Sequence, residues 1–100
     1  MKAQVLLPKV FNFPFTYNSN IKIKIGDIVE VPFGSKHEIG VIWKNIYQEP
    51  KNIKIKEISK KTDYSIDKKL VNFIEWFSIY NMVPIGLVLK MVIGSVDKFV

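Results

Sequence analysis

Residues 21–34 read Ile-Lys-Ile-Lys-Ile-Gly-Asp-Ile-Val-Glu-Val-Pro-Phe-Gly. In the first five positions isoleucine alternates with lysine, which is the period-2 pattern of a strand with one apolar and one cationic face. Gly26 and Asp27 predict a turn, a strand follows over residues 28–32, and Gly34 lies in the next turn. Outside this stretch, apolar runs bounded by turn residues predict further strands over residues 4–7, 13–17, 38–47 and 53–58.

Beyond residue 62 the apolar period changes from 2 to 3.6. Ser65 is a candidate N-cap for a first helix, and Pro84 can begin a second helix that ends near Gly94. The predicted fold class is α+β, mainly β: a small twisted antiparallel sheet or partial barrel over residues 1–62, then a C-terminal helical hairpin over residues 63–100 of the same domain. The apolar stripe of the first helix consists of Ile66, Leu70, Phe73, Phe77 and Tyr80, widened by Ile74.

The composition excludes several classes of protein. A chain of 100 residues builds one core and has no room for two lobes around a substrate cleft, so a large independent enzyme is not expected. The chain has no Cys and a single histidine, His37, which removes disulfide scaffolds, thiolate catalysis and two-histidine metal sites. The chain contains 15 basic residues, all of them Lys, and without the planar guanidinium fork of Arg, sequence-specific reading of a duplex is disfavoured.

The net charge of +6 lies entirely before Asp63. A cationic strand face beside aromatic residues is typical of a platform for single-stranded nucleic acid. Alternatively, Lys22 and Lys24 protect an edge strand from aggregation, and the pattern alone favours this interpretation. No apolar run reaches the roughly 20 residues of a membrane span, and a cytoplasmic location is expected.

Four aromatic residues, Phe11, Phe13, Phe15 and Tyr17, share one parity and would crowd one face of a strand. Because Pro14 interrupts that strand, we expect some of these rings to stay exposed. By contrast, Trp76, Tyr80 and the sequence Pro84-Ile85-Gly86 are interpreted as packing residues inside the helical hairpin.

A set of motifs with a defined order and spacing runs through nearly the whole chain. The motifs are Val5-Leu6-Leu7-Pro8, Phe15-Thr16-Tyr17, Ile25-Gly26-Asp27-Ile28-Val29, Val31-Pro32-Phe33-Gly34, Ile39-Gly40-Val41, then Trp76, Tyr80, Pro84-Ile85-Gly86 and Leu89. On these motifs the chain resembles the N-terminal domain of the primosomal replication-restart helicases, the primosomal protein N-prime family.

The resemblance implies a non-catalytic module that captures the 3′ end of a nascent DNA strand at a stalled replication fork and positions a helicase for replication restart. Its partners would be DNA with a 3′ terminus and, through the full-length protein, the primosome proteins. The full-length proteins of the family are ATP-dependent helicases. This chain has no Gly-x-x-x-x-Gly-Lys-Ser/Thr phosphate loop, so we expect the motor to be absent from it and assign it no cofactor or metal.

The resemblance also implies a pocket for the terminal nucleotide, built from a Phe-Asp-Tyr element, a glycine and a lysine. Thr16 stands where the family has aspartate, which replaces two acceptor oxygens with one hydroxyl. A second register over residues 11–13 would place Asn12 there, and Lys51 or Lys56 could replace the lysine. The predicted pocket residues are Phe15, Thr16, Tyr17, Gly34 and Lys54.

A second function class remains open beside the first. A small-barrel protein-interaction module with a lysine-rich surface would have the same composition, but it would not require the pocket residues to converge. An enzyme ranks last, because no paired acid and base and no activated nucleophile is evident.

Overall fold

Five strands and two helices make up the described part of the chain, residues 2–46 and 56–94 of a computed structural model. No helix in these two ranges is both long and apolar enough to cross a membrane. The strands precede the helices, which confirms the α+β, mainly β fold class with its C-terminal helical hairpin. The elements are β1 (Lys2–Leu6), β2 (Phe15–Asn18), β3 (Asp27–Phe33), β4 (Lys36–Ile46), β5 (Lys60–Ser65), α1 (Lys68–Asn81) and α2 (Ile85–Gly94).

The strands form one antiparallel sheet in the order β2-β1-β4-β3-β5. The pairing of β1 with β4 shifts register between Gln4 and Val5, an irregularity that bends a sheet locally. β3 and β4 are joined by a two-residue turn at Gly34 and Ser35, in which Gly34 has a φ of 62°. A positive φ at the first turn position matches the right-handed twist of a hairpin and favours glycine.

Backbone hydrogen bonds connect the two ends of the sheet. The Asn18 N–H donates to the Lys56 carbonyl at 2.9 Å, and the Ile58 N–H donates to the Asn18 carbonyl at 2.9 Å. The Ser59 N–H then donates to the Glu30 carbonyl at 2.8 Å. The segment 56–59 therefore links β2 to β3, and the sheet curls toward a barrel, as predicted.

Each face of the sheet carries its own core. The helix-side core lies under α1 and α2, and the inner core lies inside the curl of the sheet. Members of the inner core are Ala3, Val5, Leu7, Tyr17, Ile23, Val29, Val31, Ile42 and Ile58. Members of the helix-side core are Leu6, Ile28, Val41, Trp43, Ile66, Val71, Ile74, Val88 and Leu89.

The turn at Gly26 connects the sheet to the start of α1. The Gly26 N–H donates to the Ile42 carbonyl and its carbonyl accepts from the Ile66 N–H, both at 2.8 Å. Gly26 has a φ of 98°, and a Cβ at this position would overlap the Ile66 carbonyl oxygen. Only glycine satisfies both conditions. The neighbouring Asp27 is buried, and its carboxylate accepts from the Lys24 N–H at 2.9 Å.

The predicted helices are both present, but details of α1 differ from the prediction. Asp67, not Ser65, is the N-cap, since its carboxylate accepts from the Leu70 N–H at 2.8 Å. The predicted apolar stripe is wrong for Phe73 and Tyr80, whose side chains are exposed. The face that α1 buries is instead centred on Val71, Ile74 and Ser78.

The predicted strand over residues 21–25 is wrong. This segment is irregular, with Ile23 buried while Ile21 and Ile25 are exposed. Within the described residues, its backbone forms hydrogen bonds with side chains and not with a neighbouring strand. The Ser19 hydroxyl accepts from the Ile21 N–H at 3.1 Å, and the Asp27 carboxylate accepts from the Lys24 N–H. Such local bonds compete with sheet pairing.

A strand that the sequence did not predict, β5, forms the edge of the sheet beside β3. Its sequence, KKTDYS, has no apolar alternation, and most of its side chains are exposed. The sheet thus continues to Ser65, past the predicted division at residue 62. Of the predicted strand at 53–58, residues 53–55 lie outside the described residues.

We predict that Gly26→Ala destabilises the fold more than Gly34→Ala, although both positions have a positive φ. Strain alone costs about 1–3 kcal/mol in each variant. Gly26→Ala also forces a backbone shift, whereas a Cβ at Gly34 has no atom within 4 Å. Urea denaturation measures both free energies of unfolding, and equal losses would contradict the close approach at Gly26.

Candidate nucleic-acid interface

The loop between β1 and β2, residues 7–14, is fixed to the start of α2. The Gly86 N–H donates to the Phe11 carbonyl at 3.0 Å, and the Ile85 N–H donates to the Asn12 side-chain oxygen at 3.1 Å. A Cβ at Gly86 would overlap the Lys9 carbonyl oxygen, so only glycine allows this approach. Gly86 therefore packs against the loop, and this contact explains why the motif Pro84-Ile85-Gly86 ends in glycine. Asn12 of the alternative register caps α2 through its side-chain oxygen.

Four phenylalanine rings meet where this loop passes the β3–β4 turn. We call them the ring cluster: Phe11, Phe13, Phe15 and Phe33. The ring centroids of Phe11 and Phe15 are 5.0 Å apart, and those of Phe15 and Phe33 are 5.5 Å apart in an edge-to-face arrangement. Phe15 and Phe33 also pack against the inner core, whereas Phe13 is 54% exposed. The expectation that some of these aromatic rings remain exposed is confirmed.

Lysine lies beside the ring cluster. The Lys9 ammonium is 5.9 Å from the Phe33 ring centroid, within cation–π range, and 3.2 Å from the Glu38 carboxylate. Lys36 follows the β3–β4 turn directly and is exposed. The site thus combines aromatic surface with positive charge. No sequence pattern singles out Lys9, since its proximity to Phe33 arises from the fold of the loop.

The structure brings three of the predicted pocket residues to one end of the barrel. Phe15 belongs to the ring cluster, and Gly34 follows Phe33 of the same cluster. The Tyr17 hydroxyl donates to the Pro32 carbonyl at 2.9 Å, two residues before Gly34. β2 and the β3–β4 turn are not neighbours in the sheet, so this hydrogen bond crosses the interior of the curl.

Of the other two predicted residues, the structure describes Thr16 only. Strand alternation directs Thr16 to the face opposite to that of Phe15 and Tyr17. Lys54 lies outside the described residues, as does the alternative Lys51. The alternative Lys56 is described and exposed.

Tyr17 is itself a core residue, with a side chain that is 5% exposed. Burial raises the pKa of Tyr17 above its ordinary value of 10.0, because the phenolate would be desolvated. The neutral hydroxyl is therefore the form that donates to Pro32. This bond fixes the approach to the Gly34 turn, and direct contact between the Tyr17 ring and a nucleotide stays a prediction.

A second aromatic surface lies on α1. Trp76 and Tyr80 stack with ring centroids 5.1 Å apart and planes 16° from parallel, and they are 55% and 73% exposed. Their interpretation as packing residues inside the helical hairpin is therefore wrong. In residues 2–46 and 56–94 no group of three or more His, Cys, Asp or Glu side chains could hold a metal ion.

Comparison with known proteins identifies the type of domain. The family model described as the 3′ DNA-binding domain (3′BD) matches residues 4–94. The Replication restart protein PriA of Rickettsia felis is 35% identical over 95 residues, and those of Rickettsia conorii and Rickettsia prowazekii are each 32% identical over 94 residues. Each alignment covers 91% of this chain and 14% of the relative, so the chain spans about one-seventh of the length of these proteins.

We predict that Tyr17 contributes a pH-dependent part of the stability. The folded chain holds the phenol proton more tightly than the unfolded chain, so this part is complete below pH 10.0 and is lost as pH rises through the raised pKa. Near neutral pH, Tyr17→Phe should cost about 1 kcal/mol for the lost hydrogen bond.

The measurement is urea denaturation of both proteins from about pH 8 to about pH 11, around the ordinary tyrosine pKa. The stability advantage of the unmodified chain over Tyr17→Phe should shrink with rising pH. An advantage that stays constant over this range would contradict the buried position of the hydroxyl.

Proposed function

Because the chain belongs to the family of 3′ DNA-binding domains, we propose that it captures the 3′ end of a nascent DNA strand at a stalled replication fork. DNA binding is the property of the family, and the matched part of the relatives is a binding domain rather than a catalytic one. Capture of the end, and a place in replication restart, are the proposal. The observation that carries it is the family match over residues 4–94.

The geometry of the barrel end supports this proposal. The exposed edge of the ring cluster, the Gly34 turn and the Lys9 ammonium lie together there. Bases stack on aromatic rings while ammonium groups neutralise phosphates, which is how single strands are bound without reading their sequence. The interior of a duplex exposes no base face, so such a surface selects unpaired nucleotides.

The Gly34 turn suits the recognition of a strand end. Gly34 is exposed and carries no side chain, and nothing lies within 4 Å of the position where a Cβ would stand. A nucleotide can therefore approach its backbone closely. In our proposal Phe15 contacts the terminal nucleotide beside Gly34, and Tyr17 positions the turn through the Pro32 carbonyl. Thr16 and Lys54 remain proposed pocket residues on the resemblance alone.

The wider setting belongs to the same proposal. A protein like the Rickettsia replication restart proteins would carry this domain together with a helicase motor, and the primosome proteins would be partners of that longer protein. Its site of action would be the cytoplasm, where stalled forks occur.

A protein-interaction module is the second candidate, favoured by one observation. The Trp76 and Tyr80 stack on α1 is an exposed aromatic surface of the kind that protein partners cover. The two candidates differ in their response to oligonucleotides. A protein-interaction module would bind single strands weakly, with no dependence on the strand end.

We predict that the chain binds a short oligonucleotide with a free 3′ hydroxyl about tenfold more tightly than the same oligonucleotide with a 3′ phosphate. The reason is that a site built around a hydroxyl loses a hydrogen bond when that group is replaced. Competition with a 5′-labelled probe strand, followed by fluorescence anisotropy, measures the affinities of the unlabelled oligonucleotides, and one with a 5′ phosphate is the control for added charge. Equal affinities for the 3′ hydroxyl and 3′ phosphate oligonucleotides would contradict recognition of the strand end.

We further predict that Gly34→Asn weakens binding of the free 3′ end about tenfold or more. Asn tolerates a positive φ better than most residues, so the turn is retained while a side chain fills the open space. Ser35→Ala, at the second turn position, is the matched control and should bind as the unmodified chain does. Unchanged binding by a folded Gly34→Asn protein would remove Gly34 from the site.

A further inference from the structure

Phe13 differs from the other members of the ring cluster in its exposure. Its side chain is 54% exposed, while those of Phe11, Phe15 and Phe33 are partly buried. The ring centroids of Phe11 and Phe15 lie 5.9 and 5.2 Å from that of Phe13, with planes tilted by 47° and 55°. Neither neighbour is parallel to the Phe13 ring, so neither acts as its stacked partner. A planar ligand can take that place.

The backbone on both sides of Phe13 is fixed. On the N-terminal side, Phe11 and Asn12 accept hydrogen bonds from the first residues of α2. On the C-terminal side, Pro14 restricts its own φ, and β2 begins at the next residue. The ring is thus presented before any ligand arrives, and a ligand does not have to order the loop. Preorganisation of this kind lowers the cost of binding.

The contact of Phe13 with Phe15 and the positive charge of the cluster indicate which ligand the Phe13 ring binds. Phe13 contacts Phe15, which the proposed function assigns to the terminal nucleotide, and Lys9 lies over the Phe33 ring of the same cluster. A strand that enters the Gly34 turn with its 3′ end must place its preceding nucleotides next to this pocket. The exposed Phe13 ring is suited to an unpaired base, and the ammonium group at the Phe33 side of the cluster is suited to a phosphate of the same strand.

We propose that Phe13 forms a second stacking site, which takes the base of an unpaired nucleotide upstream of the 3′-terminal one. The proposal rests on the proposed function, since it assumes that DNA approaches this end of the barrel. It adds a site that binds the strand itself and does not sense the terminal hydroxyl. The ring supplies affinity for unpaired DNA, and the Gly34 turn supplies the preference for an end.

The test compares Phe13→Ala with the unmodified chain on a 5′-labelled hexanucleotide in two forms, with a free 3′ hydroxyl and with a 3′ phosphate. Loss of one stacked base should weaken binding by about 5- to 150-fold. The loss should be the same for both forms, which leaves the ratio between them unchanged. Phe13→Trp should bind at least as tightly as the unmodified chain, because the larger ring preserves stacking.

Tyr80→Ala is the matched control, since it removes an exposed aromatic ring from α1 and should leave binding unchanged. Thermal denaturation of Phe13→Ala, and binding by Phe13→Leu, separate loss of stacking from loss of folding. Phe13→Leu keeps an apolar side chain and should bind as weakly as Phe13→Ala.

Two results would overturn the second site: unchanged affinity in a folded Phe13→Ala protein, or a loss confined to the free 3′ hydroxyl form. Equal affinity of the unmodified chain for both forms would instead contradict end recognition. In that case an equal loss in both forms with Phe13→Ala would still support the stacking site.

Discussion

The fold depends on the burial of both faces of the neighbouring interior strands β3 and β4. Successive residues of β3, Ile28 and Val29, point to opposite faces and are both buried, as are Val41 and Ile42 of β4. An antiparallel sheet that exposed one face would leave half of these side chains in water. The sheet therefore needs two covers. The helices cover one face, and the curl of the sheet, joined through the segment 56–59, covers the other.

The candidate interface follows from this arrangement. The ring cluster lies at one end of the curled five-stranded sheet, where Phe15 and Phe33 pack against the inner core. The helices contribute to the same interface from the opposite face. The N-terminus of α2 holds the loop that carries Phe11 and Phe13, through an approach that Gly86 alone permits. Core packing and the binding surface are therefore coupled through one short loop.

Sequence patterns predicted the strands and helices that bury apolar residues. They failed where side-chain hydrogen bonds to the backbone, or a position at the edge of the sheet, determine the structure. The alternation at residues 21–25 is a better strand pattern than that of β5, yet only β5 is a strand. The side chains of Ser19 and Asp27 accept hydrogen bonds from backbone N–H groups of residues 21–25. A hydrophobic period in the sequence carries no information about such bonds. β5 pairs at an exposed edge, where apolar alternation is not required. The resemblance indicated Phe15 and Gly34, but the burial of Tyr17 depends on where the sheet curls, which no single segment encodes.

Lysine and aromatic residues have different roles at this candidate interface. Lysine supplies attraction to DNA in general, and aromatic rings distinguish single strands from duplexes. Ammonium groups attract any polyanion, and a net charge of +6 carried by lysine gives DNA affinity without distinguishing a duplex from a single strand. Discrimination must come from groups that require an unstacked base, and at this end of the barrel those groups are rings. In the proposed function the Gly34 turn beside them receives the strand end, because nothing lies within 4 Å of the position where a Cβ would stand and a nucleotide can approach the backbone. The proposed selection of unpaired ends therefore requires no side chain that reads a base edge, which is consistent with a chain that has no arginine.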